Sequence, residues 1–504
     1  MLLLSSAAGK CRSSIHWAGP RVALITVITV ALGLVVTQSD GATPSSGPLS
    51  IHTCTVDGIA ARCGTLMVPQ DRITRTGPEI PIRVVVIPAS GPGRQPDPIV
   101  FFAGGPGSSA IDIMSEELPL FGLNTTRDIV LIDQRGTGAS NLTCPSFPSL
   151  SDEAALRTSV ESCLQHLKAD LRFYTTAMFA DDVDEVLSDL HYGRVDLVGA
   201  SYGATSEQVF LVRHPKRVRT MTLISGTLLD TPIYERFPLN AQRALDNVFA
   251  ECAREAACHR AFPRLGADWN ALWSSVNKAP WVIPAKLSPT GKQEVFDADE
   301  VASSVHELLM DATTQAEIPL AVHTLGAATN RVAALVAIIK ATPPSESVGA
   351  SGNQMMPIEV QCNEPWALDD PGQLVGKNSF EYHSDLENAL WWQFVCKLIP
   401  KAGRAAGSGL LTRSPVPVLA LNGEEDPQDP PSNMAGARAF WPNSLELAVP
   451  DQGHDTDPDL SGACVISLIE SFLEKGSTAH LDTSCLANVP APPFALSLQA
   501  LANG

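Results

Sequence analysis

Residues 199–203 read Gly-Ala-Ser-Tyr-Gly, the spacing in which a serine hydroxyl is carried on a sharp strand-to-helix turn. The flanking glycines let the backbone take that turn without side-chain clashes. Ser201 is therefore the candidate nucleophile. A serine needs a base to remove its proton and an acid to orient the base, and in a chain of this kind they follow in the order Ser, Asp or Glu, His. An acid-rich loop, Asn422-Gly423-Glu424-Glu425-Asp426-Pro427-Gln428-Asp429, follows the apolar run 416–421, and Gln452-Gly453-His454 follows the run 445–449. His454 is the candidate base because it alone among the eleven histidines follows a C-terminal strand through a glycine. The acid is to be sought among Glu424, Glu425, Asp426 and Asp429, while Asp455 and Asp457 read as solvated charges. Ala103-Gly104-Gly105-Pro106-Gly107 follows the apolar run 98–102. Its exposed backbone N–H groups suit an anion developing on a tetrahedral intermediate, with the N–H groups of Gly105 and Tyr202 as the expected donors.

These groups need a sheet to hold them at one edge. Apolar, β-branched segments at 80–87, 98–102, 128–132, 195–198 and 219–224 predict strands, with helical periodicity at 180–190 and after the elbow at 204–213. That alternation predicts an α/β protein with a mostly parallel, doubly wound sheet. From 228 to 414 the pattern turns helical, at 239–252, 298–312, 318–341 and 385–398, with a flexible-looking Pro, Ser and Gly stretch at 343–352. This segment reads as a helical cap inserted into the sheet. Strands at 416–421 and 445–449 and a helix at 460–473 then resume the α/β pattern. The expected organisation is a signal segment (1–42), the first part of the core (43–227), the cap (228–414) and the second part of the core (415–504).

Lys10, Arg12 and Arg21 precede an apolar run at 22–36, the pattern of a secretory signal peptide, with an uncleaved anchor as the alternative. Apart from Cys11, the ten cysteines fall as sequence neighbours: 54 and 63, 144 and 163, 252 and 258, 362 and 396, 464 and 485. An even number in an exported chain predicts disulfides, and short loop closures favour neighbour pairing. Secretion or a periplasmic location is expected, with no stable membrane association once the signal is removed. The formal charge is −19 and becomes −21 without residues 1–42, which hold three basic residues and Asp40. Such a field argues against nucleic acid as a partner. No Cys-x-x-Cys or His-x-x-x-His spacing appears, so no metal or other cofactor is expected.

Taken together, Gly104-Gly105-Pro106-Gly107, Asp133-Gln134-Arg135-Gly136-Thr137-Gly138-Ala139-Ser140, the elbow, residues 423–430 and Gly453-His454 resemble the proline iminopeptidase and tripeptidyl aminopeptidase branch of the α/β-hydrolases. The resemblance spans about residues 50–475. It implies an α/β-hydrolase fold, a catalytic triad of Ser201, Asp426 and His454, and a secreted serine aminopeptidase with peptide substrates. Two departures stand out: Ala103 replaces the histidine that opens this loop in proline iminopeptidases, and Asp429 stands where a Thr or Val is commoner before the proline. Family members bind the substrate ammonium with carboxylates of the cap, and Glu364, beside Trp366, is the candidate here. An exported esterase using the same triad and a catalytically silent binding protein are the alternatives.

Overall fold

A computed structural model describes residues 48–114, 122–288, 291–341, 355–364, 366–367, 370–402 and 410–501. The expected signal segment and the stretch at 343–352 lie outside these residues.

Four consecutive apolar side chains in β4 (Ile99–Phe102) cannot all face one way, because successive residues of a strand point to opposite faces. Val100 and Phe102 join one cluster of buried side chains, with the helices Glu153–His166, Thr176–Asp189 and Tyr202–Arg213. Ile99 and Phe101 join another, with Ala110–Met114 and Ala463–Lys475. All four are at most 3% exposed, and burying each contributes roughly 1.5–3 kcal/mol. The same division runs through β5 (Ile129–Ile132) and β6 (Val195–Ala200), so helices cover both faces of the sheet.

That sheet has nine strands in the order β1-β2-β3-β5-β4-β6-β7-β10-β11. From β5 through β4, β6, β7 (Val218–Ile224) and β10 (Val418–Gly423) to β11 (Ser444–Val449) every pairing is parallel. The α/β expectation holds, with an antiparallel flank: β1 (Ile51–Val56), β2 (Ile59–Asp71) and β3 (Thr76–Ile87) pair antiparallel and join β5 antiparallel. The first two strands lack the alternation that marks a half-buried strand. Their signal was instead the turn Asp57-Gly58, where both residues take positive φ, the preference of a tight hairpin.

Between β7 and β10 the chain leaves the sheet and builds a third apolar cluster around Leu245, Trp269, Leu272, Ile283, Phe296 and Leu335. Helices of this segment include Ile233–Arg254, Ala298–Leu309 and Tyr382–Val395, near the expected places. Three features differ from expectation. The helix expected over 318–341 is two, Ile318–Gly326 and Arg331–Ala341. Leu265–Lys278 and Met355–Asn363 are additional helices. The strands β8 (Trp281–Ile283) and β9 (Glu294–Phe296) form a small hairpin, too short to leave a periodic trace in the sequence.

All five cysteine pairs meet as neighbours in sequence, with Cα–Cα separations of 5.0 to 5.8 Å, inside the range a disulfide spans. No helix among the described residues is long and apolar enough to cross a membrane.

Candidate active site

The C-terminal ends of β4, β6, β10 and β11 deliver Gly105, Ser201, Asp426 and His454, and the end of β7 lies among them. Ser201 joins β6 to the helix Tyr202–Arg213 with φ 56° and ψ −124°. A non-glycine residue held at positive φ costs on the order of 1–3 kcal/mol, a strain found where a side chain must be aimed. The loop after β4 lies against it: a β-carbon placed on Gly104 would stand 3.3 Å from Ser201 Cβ and 3.9 Å from its Oγ. Gly105 follows at φ +115°. Tyr202, whose N–H is the other expected donor, begins the elbow helix and is 6% exposed.

The end of β7 draws the three loops together. Ser201 N donates to Ile224 O at 3.0 Å, and Ser225 N donates to Leu421 O at 2.8 Å. The Ser225 hydroxyl donates to His454 O at 2.6 Å. His454 is 6% exposed and Asp426 fully buried, and His454 Nδ1 lies 3.0 Å from Asp426 Oδ2. The other Asp426 oxygen accepts from Gln428 N and Asp429 N, each at 2.8 Å. Asp426 is thus oriented by its own loop. Burial disfavours the imidazolium, but Asp426, by charge and hydrogen bond, together with Asp429 and Asp455, more than reverses this and raises His454 to about 10. The site therefore favours the cation that His454 becomes on accepting a proton.

The residues alone left four candidate acids and the family resemblance implied Asp426; only some of the four reach the histidine. Glu425 is 1% exposed and paired with Glu251 of the cap, which leaves Asp426 against the ring. Asp429 Oδ2 is also close, at 3.6 Å from Nδ1. The solvated reading of Asp457 is corrected: it is 8% exposed, caps Asp459 N and Leu460 N, and accepts from the Thr313 hydroxyl at 2.8 Å. An acid directly before a helix start is a capping signal that could have found it. Asp455 is half-buried, with burial raising it to about 7. Asp426, Asp429 and His454 lie close enough to hold a metal ion, as do Asp299, His383 and Glu387 at the surface. In the buried set, however, Nδ1 is already engaged by Asp426.

Glu364 lies 163 residues from Ser201 in sequence but beside the elbow in space. It is 1% exposed, and its Oε1 accepts from Thr176 N at 2.7 Å, across 188 residues. The Thr176 hydroxyl pairs with Tyr202 Oη at 2.8 Å, and Trp366 packs against the Tyr202 ring at 6.0 Å. Burial raises Glu364 above the usual carboxylate range, opposed by the hydrogen bonds from Thr176. One oxygen thus ties the cap to the first residue of the helix Thr176–Asp189.

The Asp133 to Ser140 motif supports this arrangement from behind. Asp133 accepts from Arg83 Nε at 2.5 Å, the Ser109 hydroxyl at 2.6 Å and Ile111 N at 3.3 Å. Gln134 Nε2 donates to Tyr202 Oη at 2.8 Å. Arg135, fully buried, makes a two-pronged pair with Asp182, both contacts at 2.7 Å, and donates to the carbonyls of Gln70 and Phe173. Removing one partner of a buried pair leaves the other uncompensated. Arg135→Ala is expected to lower stability by about 3 kcal/mol, Arg72 remaining beside Asp182. Denaturant unfolding measures this, and an unchanged midpoint would show that the pair contributes nothing.

A doubly wound sheet with a strained serine at the end of β6, a carboxylate after β10 and a histidine after β11 defines an α/β hydrolase. Comparison with known families agrees: the α/β hydrolase fold matches residues 97–280, and the family described as TAP-like protein matches residues 383–485. The chain thus has an α/β-hydrolase fold, and its segment 383–485 is TAP-like. Carboxylesterase B of Mycobacterium tuberculosis is 29% identical over 259 residues, covering 46% of this chain and 48% of the relative. A hydrolase of Mycobacterium bovis matches with the same figures. The chain thus spans about half the length of the curated relatives it matches. Among solved structures, it is similar to the proline iminopeptidase of Mycobacterium smegmatis, with 16% identity, 82% of this chain and 98% of that one covered, and a TM-score of 0.37. An esterase from Thermogutta terrifontis covers 82% of this chain and 99% of its own at 14% identity, with a TM-score of 0.32.

Proposed function

We propose that this chain is an exported serine aminopeptidase that releases residues or short peptides from free N-termini through an acyl-enzyme. His454 Nε2 takes the Ser201 proton, the serine oxygen attacks the scissile carbonyl, and the N–H groups of Gly105 and Tyr202 receive the oxyanion. Asp426 holds the ring in the tautomer that leaves Nε2 free to accept. The imidazolium then protonates the leaving amine, and water, deprotonated by the same histidine, releases the acyl group. The observation that favours a peptide over an ester is the buried Glu364 carboxylate beside Tyr202, since an anion enclosed there would complement a substrate ammonium.

Glu364→Gln retains an acceptor for Thr176 N and removes the charge. It is expected to raise KM for free-amine peptide reporters roughly tenfold, the equivalent of about 1.4 kcal/mol, with little change for N-blocked esters. Equal effects on both substrate classes would remove Glu364 from the ammonium site. The esterase reading is favoured by the relatives named as carboxylesterases. Prolyl, alanyl, dipeptidyl and tripeptidyl reporters assayed beside short-chain esters separate the two, and turnover of esters alone would overturn the aminopeptidase reading. Export is supported by the five cysteine pairs at disulfide separation, since such bonds persist in oxidising compartments.

A further inference from the structure

Asp429 lies three residues beyond Asp426 in the same loop, and the structure gives it a defined setting. It is 3% exposed. Thr227 Oγ1 accepts from Asn433 Nδ2 at 2.8 Å, so its own proton is directed to Asp429 Oδ1, with which it makes a short hydrogen bond. That contact leaves Oδ2, the atom 3.6 Å from His454 Nδ1. The backbone of Asp429 is pinned as well: its N–H donates to Asp426 Oδ1 at 2.8 Å and its carbonyl accepts from Asn422 Nδ2 at 2.7 Å. Two buried carboxylates therefore flank one imidazole nitrogen, Asp426 at 3.0 Å and Asp429 at 3.6 Å.

At 3.6 Å Asp429 is too far for a hydrogen bond to the ring, yet close enough for its charge to be felt. Nδ1 carries one proton, and Asp426 accepts it. Were Asp426 unable to accept, Asp429 Oδ2 would be the nearest carboxylate oxygen, a move of roughly half an ångström from hydrogen-bond distance. The geometry points to Asp429 as a second positioning carboxylate for His454: it supports the imidazolium by charge beside Asp426 and takes over the Nδ1 proton when Asp426 cannot accept it. This rests on the triad reading of Ser201, His454 and Asp426. Burial first, then the Asp426 charge, push Asp429 up to about 7, opposed by His454 and Thr227. The other charged groups facing the pair are Asp455 beside the histidine, Asp311 and Glu307 of the cap around Asp455, and Arg243, which donates to the carbonyls of Glu424 and Asp426.

The test uses the purified full chain with Asp426→Asn, Asp429→Asn, Asp429→Thr, the double Asp426→Asn/Asp429→Asn and, as a control, His454→Ala. The readouts are kcat on a reporter substrate and the pH dependence of fluorophosphonate labelling. Asp426→Asn alone is expected to lose about 10²-fold in kcat, because Asp429 keeps the tautomer, and the double variant about 10⁴-fold, the usual cost of an unoriented triad histidine. Asp429→Asn and Asp429→Thr are each expected to lose roughly threefold to tenfold. Both should also move the acid limb of labelling to lower pH, since removing an anion weakens the imidazolium. The proposal is overturned if Asp426→Asn alone already loses about 10⁴-fold and the double variant no more, or if the acid limb stays in place in whichever Asp429 variant folds. A His454→Ala variant that kept its activity would instead sink the triad reading beneath it.

Discussion

Ser201→Ala is expected to abolish covalent labelling by a fluorophosphonate and to lower kcat by 10⁴-fold or more, on the order of 6 kcal/mol of transition-state stabilisation. The physical reason lies in the turn. Ser201 is kept at φ 56° by two flanking hydrogen bonds, Ser201 N to Ile224 O at 3.0 Å and Ala204 N to Ser201 O at 2.9 Å. It is also packed against Gly104 of the loop that carries the expected oxyanion donor. Alanine fits the same backbone, so the fold is expected to survive while the nucleophile is lost. A residual rate well above water would be consistent with binding and the oxyanion loop alone. Retained labelling at residue 201's peptide, or near-native turnover, would exclude the acyl-enzyme.

Gly423→Ala is expected to be nearly as damaging, for a different reason. Gly423 ends β10, and a methyl group there would overlap the carbonyl oxygens of Gly453 and Gln452, both backbone atoms of the histidine loop. Neither can swing aside as a side chain could. Glu424 N to Val449 O at 3.0 Å and Glu425 N to Gln452 O at 2.9 Å hold the two loops at this spacing. Forcing them apart is expected to cost about 1–3 kcal/mol in stability, typical of an overfilled site. It should also lower kcat by at least about 10²-fold, because a displacement near 1 Å between a base and its orienting acid is enough for that. Activity assays paired with thermal unfolding measure both. A variant that melts normally and turns over within threefold of the parent would show that the acid and histidine loops tolerate separation.

How much of this was legible in the sequence differs from one residue to another. The elbow was, because a strand, a turn and a helix occupy consecutive residues and the glycines mark the turn. The five cysteine pairs were, because each partner is the next cysteine along the chain. The residues alone narrowed the acid to a loop of four carboxylates, which look alike until one meets the histidine at 3.0 Å and another is drawn to Glu251, and only the family resemblance singled out Asp426. Of the antiparallel flank, β3 was expected at 80–87 but its partner β2 was missed, because β2 breaks its alternation with Pro69 and a register shift next to it. The cap hairpin β8 and β9 was missed because three-residue strands carry almost no periodicity.

By itself the sequence determined the chemistry's inventory and order: a serine on an elbow, acids after one late strand, a histidine after the next, and an oxyanion loop upstream. It also marked the parallel strands on which they sit, because local apolar runs and turn residues act over a few neighbours. Only the tertiary structure decided that Asp429 stands 3.6 Å from His454, that Glu364 reaches Thr176 across 188 residues, and that Arg135 is buried against Asp182. Those meetings depend on how helices and loops pack over the sheet. Packing is set by the summed burial of many distant side chains, which no short stretch of sequence encodes.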